Sequence, residues 1–224
     1  MNKDKIERIS LISLFILVVY GLFLAVTAPD VFTNVYARED GFVENLTSLF
    51  AFLSALILLY RLFTLAKKGA LFYVTTIVMV LGFIFIAGEE ISWGQRIFDI
   101  ESPKIFLEKN AQEETNLHNM TVNGVKINKL IFGKLLTIII FIYLVGFSFA
   151  YRKYATFKSL VDKWVIPIPF WYQTIAFILG ALMTLVVDVP RSSEVLELVA
   201  TVVFFCIILK PYNEHIYKRD EVAT

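Results

Sequence analysis

Six long apolar stretches decide what this chain can fold into. They cover residues 9–28, 42–60, 71–89, 135–151, 164–187 and 192–209. A helix that packs in a water-soluble core shows an apolar stripe with polar residues opposite, whereas these stretches are apolar all round. Each is close to the roughly 20 residues that a helix needs to cross a bilayer. Lipid offers no partner to a backbone amide, so such segments must satisfy their own hydrogen bonds as helices. Composition agrees: of 224 residues 58% are hydrophobic and only 18% charged, with 21 Phe. The expected fold is all-α, a polytopic membrane bundle of six transmembrane helices forming one domain over residues 1–224.

The first stretch has a rival reading as a secretory signal. Its 20 residues exceed the roughly 7 to 15 of a signal's apolar region, which favours a retained helix. Pro167 and Pro169 are expected in the first turns of the fifth helix, where proline disturbs a helix least. A net charge of +1 gives no basic stripe, so no nucleic-acid partner is expected. The partners expected are membrane lipids, with protein partners and oligomeric state left open. Cys206, the single cysteine, lies inside an apolar run and reads as a small filler.

Lys and Arg residues set an orientation. The N-terminus, the second and fourth links and the C-terminal tail together hold 13 of them, and the opposite side holds 8. The positive-inside rule then puts both termini in the cytoplasm and the long loop, residues 90–134, outside. On that map the carboxylates gather. Glu39, Asp40 and Glu44 open the second helix from outside, Glu89 and Glu90 close the third, and Asp188, Glu194 and Glu197 flank the last outer turn. At 1.5 Å per residue, Glu197 lies about 20 Å from Lys210, Glu44 about 25 Å from Arg61 and Glu89 about 32 Å from Lys68. Against a hydrocarbon core of roughly 30 Å, Glu197 is the deepest. Carboxylates at such depth face the bundle interior and mark a site.

A second reading serves some of them. Asp40, Glu44, Glu194 and Glu197 lie near helix N-termini, where a negative charge suits the dipole. Glu89 and Glu90 sit at a C-terminal end, where it does not, so they need a cation, a proton or a hydrogen-bond network. If that helix continued, Glu89, Trp93 and Arg96 would share a face. Trp93, Trp164 and Trp171 also read as interfacial anchors. Residues 103–117 read as an interfacial or re-entrant helix over the site. Around Glu89 and Glu90 the polar residues Glu44, Asn45, Gln95, Arg96, Asn116, Asn119, Glu194 and Glu197 form the expected supporting cluster. His118 is the candidate base, proton relay or ligand, so that Glu89, Glu90 and His118 are the candidate catalytic set and a possible site for a divalent metal.

The strings EDGFVENLTSLF, GEEISWGQRIF and NAQEETNLHN resemble the recurring signature of a family of predicted bacterial multi-pass membrane proteins. The resemblance spans most of residues 39–119 and implies a shared fold, a shared site and a bacterial inner membrane. A much weaker similarity is to the CAAX-type intramembrane proteases, which carry a glutamate pair and an arginine on one helix followed by two histidine motifs. Here five residues separate Glu90 from Arg96 where that family has three, and neither His118 nor His215 has the flanking Phe and Asn. Three functions follow as expectations: a membrane-embedded hydrolase or transferase acting on a lipid or peptide, a sensor or assembly subunit whose polar cluster is structural, and cation or proton binding and transport.

Overall fold

The computed structural model describes residues 2–65, 69–95, 97–110, 112–117, 119–122, 125–126, 135–187 and 189–218, with the backbone alone at residues 122, 125 and 126. Among the described residues the regular structure is helical apart from one small ribbon, in which Thr121–Val122 pairs antiparallel with Val125–Lys126. Among the described residues five helices are long and apolar enough to cross a membrane: α1 (Lys3–Thr27), α2 (Phe42–Thr64), α3 (Ala70–Glu90), α5 (Leu136–Lys153) and α8 (Ser192–Leu209). Between them stand the short α4 (Lys104–Lys109), α6 (Ala155–Lys163) and the apolar α7 (Trp171–Leu185). This is an integral membrane protein built as a multi-pass helical bundle.

α8 is the pillar of the bundle. It packs against α1, α2 and α7, and 61% of its apolar window is buried, against 17% for α5. Leu198, Val199, Val203, Cys206 and Ile207 are fully enclosed. From Leu198 to Leu209 this largely buried helix shows only Thr201 as a polar residue, while Glu194 and Glu197 lie in its first turns. α7 reaches it closely through Gly180, where an added Cβ would stand 2.7 Å from a methyl of Val199. Small residues at such crossings let helix backbones approach in lipid.

The fifth helix is shorter than expected. Residues 164–170 are not helical and α7 has only 15 residues, about 22 Å, so Pro167 and Pro169 precede the helix and do not sit in its first turns. Each proline drives the residue before it, Ile166 or Ile168, away from the helical region. The extended stretch is pinned from both sides. Tyr143 and Arg152 of α5 donate to the Pro167 and Pro169 carbonyls at 2.6 and 2.8 Å, and the Ile168 amide donates to Asn213 at 2.8 Å.

The two ends of the described chain lie together at one end of the bundle, where Lys3 meets Glu214 and Asp4 meets Lys210. Glu7, buried to 5% exposure in the first turns of α1, accepts from Tyr172 at 2.7 Å, Gln173 at 2.6 Å and Lys210 at 3.2 Å. That clasp ties α1 to α7 and the end of α8. A second polar hub lies nearby at Asp162, which takes Tyr151 at 2.8 Å, Lys158 at 2.7 Å, His215 at 3.0 Å and Asn213 at 3.3 Å. Burial alone would raise the Asp162 carboxyl, but these donors outweigh it and hold it below its usual range. A carboxyl depressed in the folded state stabilises above its unfolded pKa and loses that contribution as pH falls through the folded value. Asp162→Asn is therefore expected to lower the thermal midpoint at pH 7, with the gap to wild type closing as pH drops below about 4; a melting series over pH checks this.

Candidate functional site

At the opposite end of the bundle, α3 stops abruptly inside the GEEISWG string. Glu90 is its last residue, and Ser92, Trp93 and Gly94 follow with φ of 47°, 54° and 76°. Left-handed backbone is ordinary for glycine but costly for Ser and Trp, of order 1 kcal/mol or more each. The turn folds Trp93 back along α3. Its indole lies on Gly88, where an added Cβ would meet the ring at 2.8 Å, and its Nε1 donates to Glu89 at 2.9 Å. So Trp93 reaches Glu89 although the helix does not continue through it, and the shared helical face expected for Glu89, Trp93 and Arg96 is absent. Arg96 itself lies outside the described residues. Gly88→Val is expected to displace the indole and destabilise by about 1–3 kcal/mol, seen as a shifted Trp emission and a lower thermal midpoint.

Glu89 and Glu90 are neighbours in sequence with different surroundings. Glu89, 5% exposed, accepts from Trp93 with one oxygen and from the Leu117 amide with the other at 2.6 Å. It thereby fastens the stretch after α4 to the end of α3. The rest of the loop repeats this pattern. Ser92 donates to Glu114 at 2.7 Å, Asn116 donates to both Ser92 and Glu114 at 3.0 Å, and Asn110 donates to Asn116 at 2.8 Å. Gln95 bonds Ser102 at 2.6 Å and accepts from the Thr115 amide at 2.7 Å. Asn119 donates to Gln112 at 2.8 Å. Asn116 and Asn119 are buried, as a satisfied polar network requires.

This network replaces the helix expected over residues 103–117. Only Lys104–Lys109 is helical, and from Asn110 onward the side-chain amides bond the local backbone and one another. Asn and Gln compete with helical backbone bonding in this way.

Glu90 faces inward to α8. It stands on one cavity with Glu197 and lies in the field of Glu197, Glu194 and Glu44. Glu44, buried to 5%, accepts from the Asp40 amide at 2.5 Å, so it also closes the start of its own helix. This bond serves the start of α2, and Glu44 is not among the residues that line the cavity between α3, α5 and α8. Asn45 is turned away; it is exposed and bonds the Gly41 carbonyl at 2.6 Å.

Glu89, Glu90 and Glu197 stand on one cavity of about 240 Å³ between α3, α5 and α8. Its other walls are apolar, with Phe83, Phe85, Ile86, Leu136, Ile140 and Phe204 among them. α5, which forms one side, is exposed over most of its apolar surface. The cavity is a slot at the bilayer-facing flank of the bundle with carboxyl groups as its polar lining.

His118 lies outside the described residues. Among the described residues no three His, Cys, Asp or Glu side chains stand together as a metal site. His215 is at the other end, on Asp162. Sequence reasoning missed Ser92, Ser102 and Thr115 in the loop network and Glu7 in the clasp. The sign for Glu7 was its place two residues before the apolar run of α1, with Lys210 just past the end of α8. The three strings at residues 39–50, 88–98 and 110–119 supply the polar residues of this end, from Asp40 and Glu44 through Glu89, Glu90 and Ser92 to Asn116 and Asn119. No protein-family model, no characterised protein and no solved structure matches the chain.

Proposed function

We propose that the chain binds an amphipathic molecule that enters the slot between α3, α5 and α8 from the bilayer, with a headgroup that donates hydrogen bonds to Glu90 and Glu197. The observation that carries this reading is the slot itself: apolar walls on the lipid-facing flank with carboxyl groups at hand. Binding pockets for amphiphiles combine a mainly apolar lining with a few polar groups that fix orientation. A carboxylate has about four acceptor positions, so an existing bond leaves capacity for a ligand. The latched outer loop would close the slot from above.

A second reading, hydrolase or transferase action on the bound lipid or peptide, is favoured by the placement of Glu90 and Glu197 on one cavity. Two carboxyl groups that face one cavity are suited to act as acid and base. We place the slot in the outer leaflet of a bacterial inner membrane, with α7 as a sixth, short span and both termini cytoplasmic. That assignment rests on the 13 to 8 distribution of Lys and Arg and on the family resemblance of residues 39–119.

The test is thermal stabilisation of the detergent-purified protein by phosphatidylethanolamine, whose amine donates hydrogen bonds, beside phosphatidylcholine, whose quaternary ammonium does not. The expected result is a rise in thermal midpoint with the first lipid only, lost in Glu90→Gln and in Glu197→Gln. Equal shifts with both lipids, unchanged in the variants, would contradict the proposal.

A further inference from the structure

A second cavity lies at the other end of the bundle, where the two ends of the described chain lie together. It measures about 870 Å³ and is bounded by α1, α2, the last turns of α8 and the tail that follows. Its apolar walls include Ile6, Leu53, Ile57, Phe205 and Leu209, and the wall residue Tyr60 is 69% exposed on the outer face of α2. The charged lining residues among those described are Lys3, Arg61, Lys218 and Glu214. Three cations thus face one carboxylate, and Lys3 and Glu214 pair with each other.

Arg61 is the unusual member. It is only 6% exposed on a helix that crosses the membrane, held by a long bond from Nη2 to the Leu209 carbonyl at 3.4 Å and by the Tyr217 ring, 3.8 Å below the guanidinium. Its Nη1 is buried and meets no acceptor among the described residues. A buried guanidinium nitrogen without an acceptor is costly, because its desolvation is not repaid by a hydrogen bond. Ring and carbonyl fix the group in place, so an incoming anion meets a preorganised donor.

We infer that this cavity holds the phosphate headgroup of an anionic membrane phospholipid, bound by Arg61 and assisted by Lys218, with the acyl chains along Leu53, Ile57 and Phe205. Arginine recognises phosphate through paired donors, and the lysine adds charge at the mouth. The apolar walls favour a lipid over a free phosphate, because they run on to the lipid-facing side of α2. The cavity is separate from the Glu90–Glu197 slot, and the inference does not depend on it.

The experiment measures binding to the full-length protein in detergent by native mass spectrometry, titrating phosphatidylglycerol, phosphatidylcholine or inorganic phosphate. The expected result is preferential retention of phosphatidylglycerol, with affinity falling about tenfold in Arg61→Gln and less in Arg61→Lys. Equal retention of the two lipids, or unchanged phosphatidylglycerol binding in Arg61→Gln, would overturn the inference. Binding of inorganic phosphate as tight as that of the lipid would overturn the lipid as its source. If Arg61→Gln does not fold, Lys218→Gln decides, since Lys218 is exposed at the rim. Weaker phosphatidylglycerol binding in that variant supports the site, and unchanged binding overturns it. Glu90→Gln is expected to leave phosphatidylglycerol binding as in the wild type.

Discussion

Glu89→Ala is expected to release the loop that follows α3 and to cost about 4 kcal/mol. The carboxylate receives the Trp93 indole and the Leu117 amide in a buried setting, and hydrogen bonds to charged groups contribute about 1.5–3 kcal/mol each. Without it the Leu117 amide and the indole lose their acceptor, and the strained Ser92–Gly94 turn loses the bond that holds it. The effect is local first. Trypsin added to the purified protein should cut at Lys104 and Lys109 much faster than in the wild type, while α8 and its neighbours stay intact. Glu89→Gln keeps one acceptor oxygen and should fall between the two. A loop as resistant to trypsin in Glu89→Ala as in the wild type would show that the latch lies elsewhere.

The second large effect is expected at the other end. Glu7→Ala removes the acceptor shared by Tyr172 and Gln173 and the buried carboxylate beside Lys210. Breaking a buried charged pair by removing one partner costs about 3–5 kcal/mol. Lys210 is partly exposed and keeps Asp4 at 2.6 Å, so a loss of about 3 kcal/mol is expected. Unfolding by titrated sodium dodecyl sulfate measures it. A change below about 0.5 kcal/mol, the range of an ordinary surface substitution, would contradict the clasp.

The two ends were unequally legible in the sequence. Membrane helices announce themselves by length and by the lack of a polar stripe, so α1, α2, α3, α5 and α8 could be found with boundaries close to the observed ones. α7 was overextended because apolar composition does not distinguish a helix from the proline-bearing strap before it; what separates them is the backbone restriction at Ile166 and Ile168 and the bonds from Tyr143, Arg152 and Asn213. The carboxylates were found by depth. Their division of labour was not, because Glu89 and Glu90 differ only in direction, and direction depends on the left-handed turn at Ser92 and Trp93. Residues 110–117 read as helical from their spacing, but the side-chain amides win local bonds that a periodicity argument does not count. Glu7 escaped because charges at the start of a first helix are expected to be solvated, and only the return of α7 and Lys210 to the same place buries it.

One measurement tests the central claim most directly. The protein is equilibrated with an equal mixture of phosphatidylethanolamine and phosphatidylcholine, released from detergent in the mass spectrometer, and compared with the Glu90→Gln/Glu197→Gln double variant. The account predicts one retained phosphatidylethanolamine on the wild type, absent from a double variant that still carries its normal helical content. A double variant that retains the same lipid at the same occupancy would show that the carboxyl-lined slot between α3, α5 and α8 is not where the amphiphile binds.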